Sequence, residues 1–173
     1  MGFILYIMTY QIIKRIIDIL GAILGITAVL PLFPFIAMAV KFDSAGPILI
    51  KLDRISAGKR IKVYKFRTMK ENTHHLKYSE LAQLNERKNG PFFKIKNDPR
   101  LTRTGKILRK FRLDEFPQLI NVLKNELSLV GPRPHEPEEI SQYPENYRQL
   151  PLVKAGVTGL SQVSGASSLL FLK

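Results

Sequence analysis

Residues 108 to 119 read Leu-Arg-Lys-Phe-Arg-Leu-Asp-Glu-Phe-Pro-Gln-Leu, which sets two adjacent carboxylates, Asp114 and Glu115, directly after three cationic side chains. This pattern has two physical readings. Acidic residues favour helix starts, where they complement the dipole by ~0.3–1 kcal/mol. Alternatively, the carboxylates hold a hard cation, the cation and nearby arginines neutralise a diphosphate, and one carboxylate attacks phosphorus. Neighbours on a helix are ~100° apart, so the two carboxylates can take different roles, one as nucleophile and one as metal ligand.

Composition favours a partner that carries phosphate. The chain has 173 residues, 27 Lys and Arg against 14 Asp and Glu, and a formal net charge of +13. Residues 41 to 134 hold 22 of the basic side chains and nine of the acidic ones, so the whole excess lies there. Such a block seeks anions: substrate phosphates, an acidic lipid surface or nucleic acid. With no Cys and three His, disulfides and thiolate sites are excluded and a multi-histidine metal site is not expected.

Residues Ile19 to Val40 are 22 consecutive uncharged, mostly apolar positions. That matches the ~20 residues a helix needs to cross a bilayer. Pro31 and Pro34 interrupt its second half, and proline breaks or kinks a helix. Basic residues flank it on both sides, Lys14 and Arg15 before and Lys41 after, which places both ends in the cytoplasm. On pattern alone a spanning helix and a re-entrant one, turning at the prolines, both stay open. Asp18 is expected at headgroup level.

Beyond Lys41 the composition becomes mixed. Ile48 to Leu52 and Ile61 to Phe66 suggest a hairpin, with residues 56 to 59 as its turn. Residues 70 to 90 are polar and read as a helix or surface loop. Phe92, Phe93 and Ile95 form a short extended piece ahead of the Asn97-Asp98-Pro99 turn. Thr104 to Phe111 reads as a helix, and a second one is expected from about Asp114 to Leu127, with Pro117 in its first turn. From Gly131 the chain should be irregular with short helices. The expected fold class is α+β: an N-terminal membrane part, residues 1–41, then a small cytoplasmic domain of helices with a short hairpin, residues 42–173.

Several motifs recur in one order: Tyr64-Lys65-Phe66-Arg67-Thr68-Met69, Asn97-Asp98-Pro99-Arg100-Leu101-Thr102, Leu113 to Leu123 with the Asp-Glu pair, Ser128 to Pro134 with Gly-Pro-Arg-Pro, and Gly156 to Val163. In this the chain resembles the bacterial sugar transferase family, the small monotopic phosphoglycosyl transferases, over roughly residues 12 to 165. The resemblance implies a nucleophilic Asp114 and a Glu115 tied to magnesium, so both are the expected metal ligands. It further implies an arginine of the site at Arg109, and diphosphate contacts from Lys65, Arg67 and Arg133. It also implies a re-entrant helix broken at Pro31 or Pro34. The activity implied is transfer of a sugar 1-phosphate from a UDP-sugar to a polyprenyl (undecaprenyl) phosphate through an aspartyl-phosphosugar. The setting implied is the cytoplasmic face of the bacterial inner membrane, with Mg2+ as cofactor and acidic lipid headgroups as neighbours.

Three departures from the family pattern stand out. Arg112 occupies the position of a capping Ser or Thr, so the helix start should lose ~1 kcal/mol, with the arginine on the surface. Ala155 stands where proline is usual. The end, Leu169 to Leu172, does not match the family tail, which implies C-terminal truncation. His74, His75 and His135 are expected at the surface, Phe92 and Phe93 in the core, and Lys59, Arg60 and Lys62 against lipid headgroups. Two other function classes compete: an inactive truncated member acting as a membrane scaffold, and a tethered nucleic-acid binder. Nucleic acid is not an expected partner, because exposed interleaved aromatics are missing and the carboxylate pair would repel a backbone. The sugar and the glycan pathway are not encoded in these motifs, and a homodimer stays an open alternative.

Overall fold

The computed structural model describes residues 2–86 and 92–163. The unmatched end, Leu169 to Leu172, lies outside them, as does the last part of the expected 42–173 domain. The fold is α+β. A long apolar helix α1 (Gly2–Val29) is followed by a 3-10 turn at Leu30–Leu32 and a second helix α2 (Phe33–Asp43). Pro31 falls within the 3-10 turn, and Pro34 in the first turn of α2, where a missing N–H costs least. One 3-10 turn thus separates α1 from α2.

The hairpin forms as expected, though longer: β1 (Leu49–Ser56) pairs antiparallel with β2 (Lys59–Phe66). Its two-residue loop places Ala57 and Gly58 at φ 50° and 70°, the left-handed pair that matches the twist of the strands. Residues 70 to 86 fold as two short 3-10 turns, His75–Tyr78 and Ala82–Leu84. Residues 92 to 95 carry no regular secondary structure.

Helix α3 (Arg103–Lys110) starts at Thr102, whose hydroxyl accepts from the Gly105 N–H at 2.9 Å. Gly105 is needed here, because a Cβ would lie 2.0 Å from the Thr68 carbonyl oxygen. The second helix is shorter than its apolar spacing suggested. Leu113–Glu115 is a 3-10 turn and only Gln118–Leu123, α4, is α-helical. Asn125, at φ 64°, follows the end of α4, and the chain then turns into β3 (Ser128–Val130). A short parallel pairing of β3 with β4 (Gly156–Thr158) closes the domain, with α5 (Pro137–Ile140) between them and α6 (Leu160–Val163) last. That parallel pair was not expected: three residues per strand leave too little alternation to read.

Two apolar clusters hold the elements together. One joins Ala22 of α1 to Val63, Leu119, Val122, Leu127 and Ala155, with Phe116 packed against it. The other joins Ile36 and Val40 of α2 to Phe66 and Leu108, with Leu113 packed against it. The interior of the domain is thus completed by both arms of the apolar helix. Gly21 and Gly25 let α1 approach: a Cβ on either would press on Leu129 and Leu119. Most other large apolar side chains of α1 and α2 are exposed, among them Leu20, Leu24, Leu30, Phe35, Met38 and Phe42.

Candidate active site

The Asp114-Glu115 pair is fixed by what brackets it. Leu113 belongs to the α2 cluster and Phe116 to the α1 cluster. In a 3-10 turn residues three apart eclipse, so these two apolar anchors point inward together and turn the carboxylates between them away. The turn closes with Glu115 N–H donating to the Arg112 carbonyl at 3.3 Å and Phe116 N–H to that of Leu113 at 3.3 Å.

The neighbouring strand supplies the first cation. Lys65 Nζ donates to Glu115 Oε1 at 2.7 Å and lies 3.6 Å from Asp114 Oδ2. Asn121 sets this register. It is fully buried, its Oδ1 accepts from Tyr64 N–H at 3.1 Å, and its Nδ2 donates to the Lys62 carbonyl at 2.8 Å and to Glu126 at 2.6 Å. One amide therefore ties α4 to β2, and the dyad to the strand that carries Lys65. Asn121 is not marked by any period, and its one signal in the sequence is a lone amide among Leu119, Ile120, Val122 and Leu123.

Arg109 and Arg133 complete a cationic rim. Arg109 Nε donates to the Thr68 hydroxyl at 3.0 Å. Its burial lowers its pKa, and Asp114 and Asp98 act against that, so its charge is held between two carboxylates. Asp98 itself is locked by Arg100, through contacts of 2.9 and 2.6 Å. Arg133 is exposed and close enough to act on both Arg109 and Glu115. Burial alone would raise the Glu115 pKa, but Lys65, Arg133 and Arg112 outweigh it and hold the carboxyl below its ordinary value. Asp114 is only 6 % exposed.

The structure therefore gathers Lys65, Arg109, Arg133, Asp114 and Glu115. Arg67 goes elsewhere. Strand β2 ends at Phe66, so Arg67 leaves the strand's alternation and turns under α2, donating to the carbonyls of Val40 at 3.2 Å and Ser44 at 2.7 Å. It braces the end of the apolar helix instead of facing the dyad.

The other residues singled out in the sequence are placed as follows. Asp18 is buried against β3, where its carboxylate accepts from the Leu129 N–H. Arg112 makes no side-chain cap and is exposed, as expected, while its guanidinium donates to the Gln162 carbonyl at 3.0 Å. His135 is half-buried, 3.3 Å from Glu139 and packed on the rings of Phe92 and Tyr143. His74 is largely exposed but lies 3.8 Å from Glu136. Phe92 and Phe93 are half-buried, Phe93 beneath Lys77 and Arg100. Arg60 and Lys62 both pair with Asp53 on the exposed face of the hairpin.

Comparison with known proteins assigns the chain to a family. The bacterial sugar transferase family model matches residues 9–172. The UDP-N-acetylgalactosamine-undecaprenyl-phosphate N-acetylgalactosaminephosphotransferase of Aeromonas hydrophila is 36% identical over 158 residues, 89% of this chain and 34% of that protein. The UDP-glucose:undecaprenyl-phosphate glucose-1-phosphate transferase of Escherichia coli is 39% identical over 159 residues, 90% of this chain and 32% of that protein. The chain thus spans about a third of the length of these two relatives. It covers more of the exopolysaccharide production protein PSS of Rhizobium leguminosarum, at 40% identity over 164 residues, 89% of this chain and 74% of that one. A match over nearly the whole chain, and the cationic rim around the carboxylate pair, have one common meaning: the chain belongs to the bacterial sugar transferase family.

Proposed function

We propose that the chain moves a sugar 1-phosphate from a UDP-sugar to a polyprenyl phosphate, in two steps through Asp114. The observation that carries this reading is the Asp114-Glu115 pair held by Lys65 at 3.6 and 2.7 Å and rimmed by Arg109 and Arg133. Such a rim neutralises a diphosphate while leaving a carboxylate to react. In the first step an Asp114 oxygen attacks the sugar-bearing phosphorus. The bond from that phosphorus to the UMP oxygen breaks, and UMP leaves with the electron pair. In the second, a polyprenyl phosphate oxygen attacks the same phosphorus, the acyl phosphate bond breaks, and Asp114 returns as a carboxylate.

Magnesium fits the residues present. Asp114 and Glu115 offer hard oxygen donors, and among the described residues there is no group of three His, Cys, Asp or Glu. A magnesium ion in phosphate chemistry commonly takes one or two carboxylates and fills its shell with water and substrate phosphate. Bound by Glu115 and Asp114, it would supply charge neutralisation at the diphosphate. Lys65, bonded to Glu115 and within ion-pair distance of Asp114, would then turn toward the phosphates, while Arg109, fixed by Thr68, holds the developing charge.

The membrane arrangement follows from the two arms. Arg15 donates to the Val122 and Leu123 carbonyls at 2.6 and 2.8 Å, and Asp43 accepts from Thr104 N–H at 2.6 Å. Both flanks of the apolar segment are thus held by one folded domain, and the exposed prolines lie between them. This supports a re-entrant helix that enters the bilayer and returns to the cytoplasmic face of the inner membrane. The basic domain then lies against acidic headgroups, where a lipid-borne acceptor would be presented.

The test is to incubate detergent-purified chain with magnesium, undecaprenyl phosphate and a panel of UDP-sugars, and to score UMP release. Release that disappears in Asp114→Asn supports the transferase and its nucleophile together. Well-folded chain that releases no UMP with any sugar would refute the activity and favour an inactive scaffold.

A further inference from the structure

Arg112 has a left-handed backbone, at φ 55° and ψ 22°, which a residue with a Cβ rarely adopts. It sits between the last turn of α3, which carries Arg109, and the 3-10 turn, which carries the carboxylates. Its N–H donates to the Arg109 carbonyl at 3.2 Å, and its own carbonyl accepts from Glu115 N–H at 3.3 Å. One residue therefore ends the first element and starts the second, as a left-handed helix cap does. Glycine or asparagine is the least strained choice for that backbone, so the arginine must be explained by its side chain.

The side chain reaches fifty positions along the sequence. Arg112 Nη2 donates to the Gln162 carbonyl at 3.0 Å. Gln162 is buried, and its N–H donates to the Gly159 carbonyl at 3.0 Å. Gly159 lies against Gly131: a Cβ there would fall 2.2 Å from the Gly131 carbonyl oxygen. Gly131 N–H in turn donates to Thr158 at 2.9 Å. The Gly156–Val163 segment is thus stacked on the loop that leads, two residues on, to Arg133. The Arg112 guanidinium joins this stack to the dyad turn.

We propose that Arg112 is a positioning residue: its left-handed backbone aims Asp114 and Glu115, and its guanidinium clamps their turn to the Gly156–Val163 segment, holding the carboxylates in register with Arg133. This deepens the phosphoglycosyl transferase reading and rests on it. A clamp of this kind acts on the alignment of the attacking carboxylate, and small misalignments are expensive in rate.

Arg112→Gly removes the guanidinium and relieves the backbone. Arg112→Lys keeps the charge but not the planar fork. The clamp predicts that in both variants kcat for UMP release falls by ~10–100-fold, while KM for the UDP-sugar moves by less than about threefold. Arg112→Gly should melt no lower than the unmodified chain. Hydrogen exchange provides a second readout that needs no turnover: amides of residues 156–163 should lose protection in both variants. A raised KM with kcat retained would make Arg112 a phosphate ligand and overturn the proposal, as would full kcat in Arg112→Gly. Unchanged protection of residues 156–163 would overturn it as well. If the unmodified chain releases no UMP, the transferase reading fails by itself, and the exchange result alone then decides whether the clamp exists.

Discussion

The carboxylate of Asp18, within the apolar helix, is anchored by Ser128 at the start of β3. The Ser128 hydroxyl lies 2.9 and 2.8 Å from its two oxygens, and Leu129 N–H donates to it at 2.9 Å. Lys14, one turn earlier, pairs with Asp18 at 3.4 Å and also contacts Ser128. A buried carboxylate so well supplied with donors is a docking device between the membrane helix and the domain. Asp18→Ala would leave the hydroxyl, an N–H and a lysine facing an empty site, at a cost of about 3 kcal/mol. Thermal unfolding in detergent should register this as a clear drop, with Ser128→Ala falling less. An unchanged melting temperature for Asp18→Ala would mean that the helix docks without it.

Asn121 should be the most costly polar substitution in the domain. It bonds the Tyr64 N–H and the Lys62 carbonyl of β2 from a site with no exposed surface. Asn121→Ala orphans both backbone groups and Glu126, and each buried unsatisfied group costs ~1–3 kcal/mol. The expected loss is several times that of Gln142→Ala, whose amide bonds a single carbonyl at 3.1 Å on the exposed side of the chain. Chemical denaturation of the two variants in one detergent makes the comparison, and equal losses would contradict the assigned role.

Lys65 touches both carboxylates, so its removal should be felt in chemistry more than in folding. Lys65→Met keeps most of the apolar stem and deletes the charge next to Glu115. If it neutralises the diphosphate as the bond to UMP breaks, UMP release should fall by ~100-fold. Arg67→Met should act differently. Because Arg67 braces Val40 and Ser44, its loss should lower the melting temperature before it alters kcat. Steady-state kinetics beside melting curves separates the two, and identical profiles would show that the two basic residues of this motif share one task.

The parts of the fold that follow a period were legible in the sequence, and the parts that depend on single contacts were not. The apolar run and the hairpin could be read because each repeats a simple pattern over many residues. The carboxylate pair and its cations Lys65, Arg109 and Arg133 could be read through motifs. What escaped depends on chain direction at one residue. Arg67 was grouped with Lys65 because both sit in one motif, yet the strand stops between them. The docking contact of Asp18 is not legible because its partner, Ser128, is 110 positions away. The second helix ends at Leu123, although Leu127 keeps the helical spacing, because Asn125 takes a left-handed turn and Leu127 then enters the core from a loop.

Acid should loosen the far side of the domain through Glu136. Burial would raise its pKa, but His74, Lys77 and Arg54 outweigh this and hold it far below the ordinary glutamate value of 4.5. The nearest contacts are Lys77 at 2.6 Å and Arg54 at 3.2 Å. Glu139, also bonded to Lys77, is lowered as well, with His135 and Lys77 overcoming its burial. Folded pKa values below the unfolded ones mean that the unfolded chain binds more protons at low pH. The stabilisation is therefore complete above about pH 5 and is lost progressively as pH falls through 4.5 toward the depressed folded values. Glu136→Gln should remove much of that slope, so the gap in melting temperature between the two proteins should be widest near neutral pH, begin to narrow as pH falls through 4.5, and close only toward the depressed folded value. Parallel curves for the two proteins from pH 7 to pH 3.5 would show that the network adds no pH-dependent stability.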